Sequence, residues 1–213
     1  MARKSCKDYC RWSRCYTWLC SKLRKPTVII LSFGLALFIL PHLLRELGLR
    51  DKTMGQFPSK SGYMGAYSIV TLVGLILIAW GKSLSPFIMI WHPLFELRYI
   101  SSMIMIPALI LLVAGNVPLS HLRKNFRNPM LLGITFWSFA HLWSNGDLAS
   151  MLLFGSFGIW ALIKFISLGR KAHLANRPAS ILWDIIAVIV GLLLYWILVL
   201  YHGPLFGVGL SLE

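Results

Sequence analysis

"IIAVIVGLLLYWILVLYHGPLFGVGLSL" runs from Ile185 to Leu212 without one Asp, Glu, Lys or Arg. A bilayer core of roughly 30 Å takes about 20 mostly apolar residues in helical form, and this stretch exceeds that length. A soluble helix keeps a polar face toward water, and this one has none. Five more charge-free stretches precede it: Pro26–Leu44, Ser61–Gly81, Tyr99–Leu122, Asn128–Gly146 and Leu148–Ile163. Apolar and polar residues do not alternate within them, which argues against barrel strands. Of the 213 residues, 57% are hydrophobic, more than soluble domains carry. The sequence therefore predicts an all-α fold, a polytopic membrane helical bundle of about six transmembrane helices. The Gly-rich second span and the short fifth one are its weakest members.

The formal net charge of +14 is read as membrane topology rather than nucleic-acid binding. Lys and Arg lie almost entirely in the loops and the N-terminal tail, where they set orientation and meet anionic headgroups. The two sides share them evenly. The short loops favour both termini outside, and the tail favours the reverse, so orientation stays open.

Two regions follow from composition. Residues 1–25 form a basic tail holding all four cysteines, Cys6, Cys10, Cys15 and Cys20. No C-x-x-C spacing occurs, so a zinc site is weakly indicated, and a disulfide framework would have no core to staple. Trp12, Cys15, Tyr16, Leu19, Cys20 and Leu23 share one helical face, with Arg11, Arg14, Lys22 and Arg24 mostly elsewhere. That pattern predicts an interfacial amphipathic helix; acylation of a thiol is the alternative. Residues 26–213 form the transmembrane domain, and its first apolar run reads as a retained span.

Within that domain, residues 45–66 read as a polar loop. "KSLSPFIMIWHPLFELR" (82–98) is too apolar for an ordinary loop and is expected along the interface, with Trp91 and His92 at headgroup depth. Pro41 is expected to kink the end of the first span.

Polar groups inside a bilayer are costly and mark function or pairing. His42 ends the first span, His141 sits inside the fourth, and His202 follows the sixth. A histidine in an apolar helix is either a hydrogen-bonded structural residue or a ligand. Imidazole pairs in helical bundles hold haem iron, which makes haem the cofactor to consider. Asn145, Gly146 and Asp147 form a corner, where Asp147 is expected to cap the helix that follows.

The blocks "LPHLLRE", "YSIVTLVGLILIAWG", "NPMLLG…FAHLWSNGDLASMLLFG" and "WDIIAVIVGLLLYWILVLYHGPLFGV" resemble, in order, the NnrU family of bacterial membrane proteins. The resemblance runs from about residue 27 to the C-terminus. That family takes its name from a gene cluster associated with nitrogen-oxide reduction, which implies a denitrification link. It is similar to the 15-cis-zeta-carotene isomerases, which use haem b. Carried onto this chain, the resemblance implies haem b held through its iron by His42 and His141. It further implies an isomerase-like or redox role on a membrane-soluble substrate, in a bacterial inner membrane. The family usually shows a histidine where this chain has Asn128.

Two other functions compete. Arg127-x-Pro129-x-x-x-Gly133 resembles the signature of isoprenylcysteine carboxyl methyltransferases, which implies S-adenosylmethionine. A non-catalytic membrane scaffold would also suit apolar spans with few charges.

Overall fold

The computed structural model describes residues 15–94, 98–126, 128–169 and 178–207, with side chains from Thr27 onward. Eight helices follow one another among these residues. They are α1 (Cys15–Leu43), α2 (Arg50–Met54), α3 (Lys60–Leu84) and α4 (Tyr99–Asn116), then α5 (His121–Phe126), α6 (Pro129–Ser144), α7 (Leu148–Gly169) and α8 (Ile181–Phe206). Among the described residues there is no strand, only an isolated antiparallel bridge between Met89 and Asp147. The all-α bundle is what the charge-free stretches predict. Among the described residues, four helices are long and apolar enough to cross a membrane: α3, α4, α7 as far as Leu168, and α8. Thr27–Leu43 is apolar but shorter, and α6 has 16 residues.

Large apolar side chains face outward along these helices. Ile181 and Leu200 of α8 are 68% and 69% exposed, and Ile185, Ile189, Leu193 and Trp196 between them are exposed too. A surface this apolar is stable against hydrocarbon rather than water.

The chain divides into two compact units, Met1–Leu44 with Leu49–Ile88, and Arg45–Gly48 with Met89–Glu213. In the first, α1 packs along α3. A Cβ on Gly34 would lie 2.8 Å from the Ile78 nitrogen, and one on Gly74 would lie 2.8 Å from the Phe38 nitrogen. Glycine at both points lets the two backbones touch, the close approach by which membrane helices gain dispersion contact.

Residues 45–66 are more ordered than a polar loop. They include α2, and α3 begins at Lys60, seven residues before the expected start at Tyr67. Ser59 is extended, and its hydroxyl accepts from Gly62 N at 3.0 Å. That cap satisfies an amide at the helix start and offsets the weak helix propensity of Gly62 and Gly65. α1 carries helical hydrogen bonding past Pro41 and ends at Leu43. It also runs unbroken from Cys15, across the expected boundary at residue 26. The face assigned to the tail, with Trp12 and the cysteines, lies outside the described residues and side chains.

In the second unit α4 packs against α6 and α8, and α6 against α7. Ala108, Leu111 and Ala114 of α4, Leu131 and Ala140 of α6, and Ala187 of α8 are buried between them. Small side chains dominate that list, as dense helix packing in lipid requires. The expected fifth span stopped at Ile163 because Lys164 follows. The helix continues through Lys164 to Gly169, and the charge is matched by a carboxylate described below.

Candidate functional site

α6 and α7 meet at the Asn145-Gly146-Asp147 corner, which is built almost wholly from short-range chemistry. Asn145 N and its side-chain amide both donate to the His141 carbonyl, at 2.9 and 2.8 Å. They satisfy a carbonyl left over at the end of α6. Asp147 is buried; its carboxylate accepts from Ser150 N at 3.0 Å, and its carbonyl accepts from Met151 N at 2.9 Å. A carboxylate there faces the positive end of α7.

The same corner holds the segment after α3. Ile90 N and Trp91 N both donate to the Gly146 carbonyl, at 2.7 and 3.2 Å. A Cβ on Gly146 would collide with the Trp91 carbonyl oxygen, so only glycine admits this strap. The expected interfacial loop is therefore tied to a helix junction at Met89–Trp91; Phe87 and Leu94 near its ends are exposed.

One turn before the corner, His141 Nδ1 lies 2.9 Å from the Trp137 carbonyl. A carbonyl only accepts, so Nδ1 carries the hydrogen and Nε2 is the basic nitrogen of the neutral ring. Phe154 of α7 stacks on the imidazole, centroids 4.4 Å apart and planes 26° apart, and Trp137 lies at 5.1 Å. Trp137 also contacts Phe154 and Phe157, at 4.9 and 5.9 Å. Ring and tautomer are thus fixed by a hydrogen bond and an aromatic wall.

His42 repeats the motif in the first unit. Its Nδ1 lies 2.6 Å from the Phe38 carbonyl, four residues earlier, and Phe38 stacks on the ring at 4.6 Å with Tyr67 at 5.3 Å. His202, near the end of α8, rests against Phe206 at 5.0 Å. Asn128 caps α6, with its side-chain oxygen accepting from Leu131 N at 3.4 Å. The structure thus gathers His141, Asn145 and Asp147 at one corner, with His202 in the same unit, while Asn128 sits at the opposite end of α6.

A family model described as NnrU protein matches residues 30–210, most of the chain and every helix except the first half of α1. The chain belongs to the NnrU family. No curated protein and no solved structure gives a significant match. With its apolar helices, this NnrU chain is an integral membrane protein.

Two polar pairs in the NnrU fold escape a reading by local pattern. Asp184 of α8 accepts from His121 N at 3.0 Å, Leu122 N at 2.9 Å and His121 Nδ1 at 2.8 Å. It caps α5 from 63 residues away in sequence. Lys164 of α7 pairs with Glu46 at 3.2 Å, 118 residues apart. Glu46 stands four residues after His42 in "LPHLLRE"; a charge inside an apolar stretch was the signal that such a partner exists. Arg127 of the methyltransferase-like signature lies outside the described residues.

Proposed function

We propose that this NnrU protein is a membrane haem protein in which His141, through Nε2, would hold the iron of haem b. The observation that carries the reading is the Nδ1 contact with the Trp137 carbonyl. Ligating histidines use such a hydrogen bond from the other ring nitrogen to fix ring and tautomer. The aromatic surroundings, Phe154 and Trp137, suit a flat apolar macrocycle. His42, the other histidine that the family resemblance implies, is pinned in the same way within its own unit. Haem iron, when bound, supplies one-electron chemistry and a coordination position for a substrate. The chain's own part is to orient the imidazoles, exclude water with apolar packing, and admit the substrate laterally from lipid. A hydrophobic small molecule, acted on by isomerisation or by a redox step linked to nitrogen-oxide metabolism, fits that setting, in a bacterial inner membrane. The methyltransferase reading is weaker, because the Asn128 side chain in its signature is engaged as a helix cap.

His141→Gly tests the assignment. Its detergent-purified form is expected to lose haem and regain it when free imidazole is supplied. Haem retained by His141→Gly at the wild-type level would remove His141 from the iron.

A further inference from the structure

Glu46 and Lys164 form a part-buried ionic contact between residues far apart in the chain. The two side chains are 8% and 15% exposed, and Lys164 reaches Oε2 of Glu46 at 3.2 Å. Oε1 of the same carboxylate is buried and has no hydrogen-bond partner among the described residues. A carboxylate offers about four lone-pair sites. Desolvating it against a single ammonium leaves the second oxygen in an environment where an unmet acceptor costs dearly. Trp160, one helical turn before Lys164 on the same face of α7, is buried at 6% exposure. Trp160 and Phe157 stand edge to face, centroids 6.1 Å apart.

We infer that Glu46 Oε1, backed by Lys164 and Trp160, binds the hydroxyl head of an apolar, membrane-soluble molecule of the phenol or quinol class. Three features select that chemistry. The free oxygen accepts only, so the ligand must donate. Lys164 already neutralises the carboxylate, so a cationic head would meet a like charge and an anionic head would meet Glu46. Trp160, one turn from Lys164 on the same face of α7, supplies an aromatic neighbour against which a ring can pack edge to face. The residues lie within one unit of the fold, and the inference does not depend on iron at His141.

The test uses the full-length protein in nanodiscs of zwitterionic lipid and two probes that differ by one donor, 4-nonylphenol and its methyl ether. Binding is read by tryptophan fluorescence and corrected for each probe's partition into protein-free nanodiscs. The wild type is expected to prefer the phenol by about tenfold, the worth of one hydrogen bond to a charged acceptor. Glu46→Gln turns an amide donor toward the probe when its oxygen faces Lys164, and is expected to abolish or reverse the preference. Equal binding of the two probes by the wild type would overturn the inference whether or not the variant folds, as would a preference that Glu46→Gln leaves intact.

Discussion

His141 donates through Nδ1 to the carbonyl of Trp137, one turn earlier in the same helix, at 2.9 Å. The bond turns a residue that would otherwise be a costly polar group in an apolar helix into an oriented one, with Nε2 as its basic nitrogen. Phe154 completes the restraint by stacking on the ring. Phe154→Leu keeps the volume apolar and removes the flat face. We expect it to fold, to retain haem, and to broaden the electron paramagnetic resonance signals of the oxidised iron as the imidazole gains rotational freedom. A spectrum identical to wild type would show that the stack has no orienting role.

Asp147 caps α7 while buried. Asp147→Ala is expected to lower stability by about 0.5–2 kcal/mol, the range for a lost N-cap, measured by denaturant titration in mixed micelles. Asp147→Asn should cost less, because an amide oxygen still accepts from Ser150 N.

Two glycines of the second unit make a controlled comparison. Gly146→Ala drives a methyl into the Trp91 carbonyl, whereas a methyl on Gly155 of α7 meets nothing within 4 Å. The first should destabilise by about 1–3 kcal/mol and speed hydrogen exchange at the Ile90 and Trp91 amides. The second should be neutral or stabilising by up to about 1 kcal/mol. Equal effects would mean that the strap is not held at Gly146.

Asp184 serves two amides of α5 and the His121 ring. Asp184→Ala should cost about 1–3 kcal/mol, with faster exchange at the His121 and Leu122 amides and no change at Ile90. His121→Ala leaves both backbone bonds and should cost less than half as much.

The buried ion pair predicts non-additivity. Glu46→Leu or Lys164→Met alone strands a charge and should destabilise by about 3 kcal/mol. The double variant should recover most of that loss, because two apolar side chains need no partner. A double mutant as unstable as the sum of the singles would contradict the pairing.

How far the fold was legible follows from what each signal measures. Charge-free length reported lipid, and so located α1, α3, α4, α6, α7 and α8. It failed where a charge is neutralised from afar: Lys164 closed the predicted fifth span early because its partner lies 118 residues away. The second span was started late for a different reason: residues 45–66 read as a loop from their Gly, Pro and Ser, and Ser59 caps a helix beginning that carries two glycines. At the candidate site, the Asn-Gly-Asp corner was readable because capping is local. The strap from Met89–Trp91, the Asp184 cap on α5 and Glu46 at Lys164 are long-range contacts that leave no periodic trace. His42, His141 and His202 stood out because an imidazole is rare in an apolar run, and only the fold showed that two of them share one pinned geometry.

The central claim is that His141 holds iron. A pyridine haemochrome spectrum of the detergent-purified protein tests it most directly, taken on the wild type, His141→Ala and the control His121→Ala, whose histidine begins α5. The account predicts b-type haem in the wild type and in His121→Ala, and its loss in His141→Ala. A wild-type protein recovered folded from a haem-sufficient host with no haem spectrum would contradict it.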